Sequence, residues 1–206
     1  MTYLRRYENL NRMSEDRKLV EAVLARRAGA FERLVREHQG LCWDIVYRMV
    51  RHAEDARELS QEVFLKVYRY LDRYRYEASL KTWIGRIAYS VALRHLERKQ
   101  LSYAEASDDD DGYDLIGNVG DDFDLETAFA DHQAYQELHA AIDALPPVQR
   151  TVLGLYHFDE LSIGEIAVVT GLAEGTIKSH LYRARLRLRD TLESSLGASH
   201  DHQQAV

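Results

Sequence analysis

Proline is almost missing from this chain: its 206 residues hold two, side by side at Pro146 and Pro147. Nothing ahead of that pair breaks a helix by removing a backbone donor, and no stretch alternates as a half-buried strand does. Cysteine is rarer still. With Cys42 alone an internal disulfide is excluded, and the residue reads as a small core side chain rather than a reactive thiol. His38, four positions earlier, would supply a metal with only a second ligand, which makes no site. No apolar run approaches the roughly 20 residues a membrane helix needs. The opening MTYLRRYENLNRMSEDRK lacks the apolar segment of a signal peptide, so a cytoplasmic protein without membrane insertion is expected. Phosphate loops, nucleophile motifs and metal clusters are missing too, which argues against an enzyme and against a cofactor.

What is present is segregated charge. The net charge of −7 divides unevenly: residues 1–100 carry 21 Lys and Arg against 14 Asp and Glu, residues 101–149 carry none against 13, and residues 150–206 carry 6 against 7. The acidity is therefore confined to the middle, in ASDDDDGYDLIGNVGDDFDLE, and the first hundred residues are basic. Such a division predicts two working domains joined by a solvated acidic connector. A calcium loop does not fit there, because aligning Gly112 with the loop glycine puts Ser107 first and Asn118 last, where acidic ligands are required.

Helical spacing dominates the rest. From Ser14 onward Leu19, Val20, Val23 and Leu24, then Phe31, Leu34 and Val35, then Leu41, Ile45, Val46 and Met49 recur at helical intervals, with Gly29 and Gly40 as candidate junctions. The fold class is all-α, and the first domain should be a bundle of three or four helices. On Asp55 to Phe64, Asp55, Glu58, Gln61 and Glu62 share one acidic side, while Leu59, Val63 and Leu65 to Val67 offer core contacts. Then Tyr68, Tyr70, Tyr74 and Tyr76 interleave with Lys66, Arg69, Arg73 and Arg75. Rings among cations suit single-stranded nucleic acid, since rings stack on bases while cations follow phosphates. Trp83, Ile84 and Ile87 read as core.

The most specific stretch lies near the other end. Pro147 suits the first turn of a helix that continues through Val148, Val152 and Leu155. Ser162 and Glu165 form a capping box that starts a short helix. Gly171 then supplies a left-handed turn before a second helix near Ala173 or Glu174. In that second helix Ile177, Leu181, Ala184 and Leu188 fall on a buried face and Lys178, Tyr182, Arg185 and Arg189 on its neighbour, with Ser179 and Arg183 alongside. This is a helix-turn-helix pattern, apolar below and cationic above, as a major-groove reader requires.

The run ALPPVQRTVLGLYHFDELSIGEIAVVTGLAEGTIKSHLYRARLRL resembles the C-terminal DNA-reading domain of bacterial sigma factors of the extracytoplasmic-function type. The resemblance implies two small helical domains joined by a flexible acidic linker: a core-docking and minus-ten domain at 1–100, a linker at 101–131, a minus-thirty-five domain at 132–195 and a disordered tail at 196–206. It also implies a partner, core RNA polymerase, met through its largest-subunit coiled coil and its flap, and promoter DNA as the target. Lys178, Ser179, His180, Tyr182, Arg183 and Arg185 would face the minus-thirty-five element. Tyr76, Ser79, Lys81, Trp83, Arg86, Ser90, Arg94 and Arg98 would face the minus-ten element, with the Tyr76 to Leu80 loop receiving a flipped base. Asp55, Arg57, Glu58, Gln61 and Glu62 would dock on the coiled coil, and the exposed part of the Val148 to Phe158 helix on the flap.

Three positions depart from the family pattern. Ser90 stands where Asn is frequent and Arg94 where an acid is, so base preference does not carry over. Arg57 replaces an expected acid in the docking helix, and phosphorylation of nearby Ser60 would restore negative charge, making recruitment conditional. Control by an anti-sigma factor, by a Ser/Thr kinase or by neither stays open. A conventional helix-turn-helix regulator outside polymerase is the alternative, disfavoured by the lack of a receiver-like alternation of strands and helices ahead of the DNA-reading domain.

Overall fold

A computed structural model describes residues 2–106 and 128–203, with side chains from Met13 to Leu101 and from Tyr135 to Glu193. Among these residues there are eight α-helices and no strand: α1 (Thr2–Leu24), α2 (Ala30–Val50), α3 (Ala53–Tyr70), α4 (Leu80–Ala106), α5 (Ala128–Asp143), α6 (Pro147–His157), α7 (Ile163–Thr170) and α8 (Glu174–Gln203), with one 3-10 turn at Leu71–Arg73. The all-α expectation holds.

Local chemistry sets most boundaries. Gly29 lies at the junction ahead of α2, whereas Gly40, expected to be a junction too, sits inside that helix. Arg51 takes a left-handed conformation to close α2, and the Nδ1 of His52 accepts the Asp55 amide at 3.3 Å to open α3. Pro147 begins α6, and the Ser162–Glu165 capping box begins α7 with both reciprocal bonds in place. Gly171 follows at φ 74°, where a β-carbon would be strained, and α8 starts at Glu174. Two boundaries differ from expectation. Helix α4 runs to Ala106, into the expected linker, and α8 runs to Gln203, through most of the expected disordered tail. Residues 107–127, which hold most of the acidic stretch and the rejected calcium loop, lie outside the described residues, as do 204–206.

One apolar core runs through both halves of the chain. In the first half Leu34, Ile45, Met49, Leu80 and Ile84 are fully buried, and in the second Leu155, Ile166 and Ile177 are; each contributes about 1.5–3 kcal/mol by leaving water. Helix α2 is the hub, packing on α3 and α4 of its own half and on α6 of the other. Helix α4 similarly packs on α7. The two halves therefore meet along two crossings, α2 with α6 and α4 with α7.

Candidate nucleic-acid and docking surfaces

The helix-turn-helix is built as the pattern demands. Ile177, Leu181 and Ala184 are buried against α6 and α7, which leaves Lys178, Ser179, Tyr182, Arg183 and Arg185 exposed along one side of α8. Tyr182 is 68% exposed, a large ring open to solvent. Ser179 donates its hydroxyl to the Gly175 carbonyl at 2.9 Å and so keeps lone pairs for a partner. Arg185 lies 5.8 Å from the Tyr156 ring centroid and 3.4 Å from the His157 ring, which fixes its direction. His180 differs from the others: it is half-buried, and burial together with the neighbouring Arg183 charge pushes its pKa down.

The expected minus-ten residues come from the loop before α4 and from one side of α4. Tyr76 adopts a left-handed backbone at φ 60°, its ring tilted at 51° against that of Tyr74 with centroids 4.6 Å apart and Arg17 of α1 5.0 Å above it. Burial drives the Tyr74 phenol upward, and its hydroxyl donates to the Ala78 carbonyl at 2.6 Å. Ser79 accepts the Thr82 amide at 3.1 Å. The buried Leu80 amide is taken by the Asp16 carboxylate of α1 at 2.8 Å. Trp83 packs on Tyr74 at 5.4 Å and is half-buried, Ile84 is fully buried, and Ile87 is half-buried. Arg86, Arg94 and Arg98 are exposed and Ser90 half-exposed, at spacings of four and eight along one side. Lys81 is engaged elsewhere: its ammonium donates to the Asp159 carbonyl of the other half at 3.0 Å.

On α3, Glu58, Gln61 and Arg57 are exposed, and Glu62 pairs with Lys66 at 3.1 Å. Asp55 is drawn toward its own half, 3.2 Å from both His52 and His95 and 3.9 Å from Lys99. Leu59, Val63 and Val67 are buried as expected, but Leu65 is 69% exposed rather than core. Lying four residues after Gln61, it extends the acidic strip with an apolar one that includes Tyr68, 55% exposed.

Ser60 does not sit as an accessible acceptor. Its oxygen is buried beside the Cys42 thiol at the α2–α3 contact, and burial pushes that thiol up to about 12. A kinase would have to pry the two helices apart to reach it. The position was readable: Ser60 falls four residues after Ala56 and three before Val63, both buried.

Sequence spacing missed one cluster altogether. Arg48 of α2 reaches Asp159, in the turn between α6 and α7, at 2.5 Å, while Arg51 pairs with Asp143 at the end of α5. Partners 111 and 92 residues apart leave no local signal.

Both halves have known counterparts. Residues 34–101 match the family model described as Sigma-70 region 2, and residues 135–188 the one described as Sigma-70, region 4. The RNA polymerase sigma-H factor of Pseudomonas aeruginosa is 31% identical over 185 residues, spanning 88% of this chain and 96% of that protein. The ECF RNA polymerase sigma-E factor of Escherichia coli is 30% identical over 173 residues, spanning 82% and 90%. Among solved structures, the sigma factor RpoE of Bartonella quintana, crystallised with the anti-sigma factor NepR, shares the fold with a TM-score of 0.63 at 22% identity, covering 81% of this chain and 98% of that one.

Proposed function

We infer the working surfaces of this protein from one premise: the chain belongs to the sigma-70 family, as an RNA polymerase sigma factor of the extracytoplasmic-function type. It directs core polymerase to promoters, and its own contribution is binding energy rather than bond chemistry, in the cytoplasm where polymerase works.

The observation that carries the assignment of surfaces is the division of α8, with Ile177, Leu181 and Ala184 buried and Lys178, Ser179, Tyr182 and Arg183 left open behind a glycine turn. That face reads the minus-thirty-five element: its first residues meet base edges and its later arginines hold phosphate. His180 supports the helix rather than contacting DNA, being half-buried and kept neutral. The Tyr76 to Leu80 loop and the α4 side bearing Arg86, Ser90, Arg94 and Arg98 take the separated minus-ten strand. Tyr76, half-buried with Arg17 over one face of its ring, is the aromatic offered to an unpaired base.

Docking on the polymerase coiled coil falls to Glu58, Gln61 and Glu62 together with the exposed Leu65 and Tyr68, a charged rim beside an apolar strip. Helix α6 and its flanks meet the flap. A protein of the kind solved with the Bartonella relative, an anti-sigma factor, is the proposed regulator.

Run-off transcription with purified core polymerase on a genomic DNA library tests recruitment, opening and sequence choice together. Discrete start sites that vanish with Arg183→Ala and with Glu58→Arg are expected. Transcription indifferent to both substitutions refutes the assignment of surfaces.

A further inference from the structure

The second half of α1 is fastened to the loop ahead of α4. Leu19, Val20 and Val23 are buried, and α1 packs on α2 and on the 3-10 turn. Asp16 takes the Leu80 amide at 2.8 Å, and the next residue, Arg17, is thereby carried to a set place over the Tyr76 ring.

Two groups crowd that ring, and they differ in how far they can yield. Tyr74 is 7% exposed and its hydroxyl is tied to the Ala78 carbonyl, so its ring is a fixed wall. Arg17 is exposed, and its guanidinium, 5.0 Å from the Tyr76 centroid, makes no ion pair or hydrogen bond among the described residues. Arg48 over Phe158 and Arg51 over Tyr47 are placed similarly, but each of those is held by a carboxylate, Asp159 and Asp143. Attraction to a ring face is weak at an exposed site. A phosphate competes with it successfully, because the guanidinium fork meets two of its oxygens with charge-assisted bonds.

The Tyr76 backbone supplies a second reason. A residue other than glycine at φ 60° persists only where its surroundings impose that conformation. Here the bonds of Tyr74 to Ala78, of Ser79 to Thr82 and of Leu80 to Asp16 impose it. The loop is set before a ligand arrives, and the Arg17 side chain keeps freedom to move.

We propose that Arg17 is a strand-contacting residue supplied by α1. It lids the Tyr76 ring in the free chain; when an unpaired base stacks on that ring, the guanidinium gives up the face and binds the phosphate of the same nucleotide. The proposal rests on the reading that the Tyr76 to Leu80 loop takes the separated strand, and it adds a residue from outside both that loop and α4. A phosphate carries no base identity, so Arg17 sets affinity for the strand and not sequence preference.

The test uses the full chain, free and assembled with core polymerase. The free chain is titrated by fluorescence anisotropy against a labelled random pool of single-stranded DNA about 12 nucleotides long, at several salt concentrations. The holoenzyme is titrated against fork-junction DNA cut from start sites mapped by run-off transcription. Arg17→Met keeps a flexible side chain on the ring without the charge, Arg17→Lys keeps the charge without the fork, and Lys18→Met removes the neighbouring exposed cation as a control. Circular dichroism verifies helix content. Arg17→Met should weaken strand binding about fivefold and make the log–log salt slope shallower by about 0.7, the share of one phosphate. The ranking of sequences should not change. Arg17→Lys should recover most of the slope, and Lys18→Met should leave it at the parent value. Tyr76→Ala combined with Arg17→Met should lose less than the two losses added, since both act on one nucleotide.

An Arg17→Met slope equal to the parent's, or an equal change in Lys18→Met, overturns the proposal; promoter opening by the parent then leaves the loop reading standing. A parent that binds no single strand in either form overturns the loop reading and the proposal together. A free chain whose strand binding needs Arg17, in a holoenzyme that opens no promoter, upholds the contact and refutes the minus-ten assignment.

Discussion

Removing one carboxylate at the front of the chain should be felt at the loop ahead of α4. Asp16 on α1 is 9% exposed and accepts the Leu80 amide at 2.8 Å, and Leu80 is fully buried. That amide belongs to the first turn of α4, whose donors have no partner within the helix. In Asp16→Ala it would be left both buried and unpaired, at a cost of about 1–3 kcal/mol. Loss of a negative charge at the positive end of a helix adds about 0.3–1 kcal/mol. We therefore expect about 2–3 kcal/mol of destabilisation in urea unfolding for Asp16→Ala, and about 1 kcal/mol for Asp16→Asn, which keeps an acceptor but not the charge. Hydrogen exchange should locate the effect, with the Leu80 amide losing protection before the α2 core does. In open-complex assays strand separation should fall while duplex binding through α8 persists. A loss below about 0.5 kcal/mol in Asp16→Ala, or unaltered exchange at Leu80, would show that the carboxylate does not hold the loop.

Further consequences can be measured directly. Ile177→Ala empties a fully buried site beneath the exposed cationic side of α8 and should cost about 2–5 kcal/mol in denaturant unfolding, with duplex affinity falling alongside if that side is the proposed reading face. The Cys42 thiol, held up to about 12 by burial, stays protonated in the folded chain at a pH where the unfolded chain ionises. Stability should therefore fall as pH rises above about 9, less steeply in Cys42→Ala, and alkylation of native protein should follow the unfolding rate. Arg183→Ala should weaken promoter binding; a uniform loss across sequences assigns it to phosphate and a loss of preference assigns it to a base, as competition with scrambled duplexes would reveal.

The parts of this molecule that were legible in advance are those whose causes are local. A capping box, a glycine in the left-handed region and a proline in a first turn each act within four residues, and Ser162, Gly171 and Pro147 all sit where that logic puts them. Apolar periodicity likewise foretold the buried side of α8. Leu65 and Gly40 escaped because spacing alone does not say whether a neighbour arrives to cover a helix face. Ser60 could have been placed by comparing its phase with Ala56 and Val63. Arg48, Arg51, Asp143 and Asp159 could not, since their pairing depends on how two distant segments dock.

At residue 154 of α6 a hydrogen stands where every other amino acid would present carbon, and the guanidinium of Arg48, the α2 arginine paired with Asp159, rests there from the opposite half. Within a helix, alanine is intrinsically more favourable than glycine by about 1 kcal/mol, so the vacancy is retained against local preference. The embrace between the halves can then be graded by the size of one substituent, leaving the interior of each half as it was, much as a shim sets the fit of a hinge.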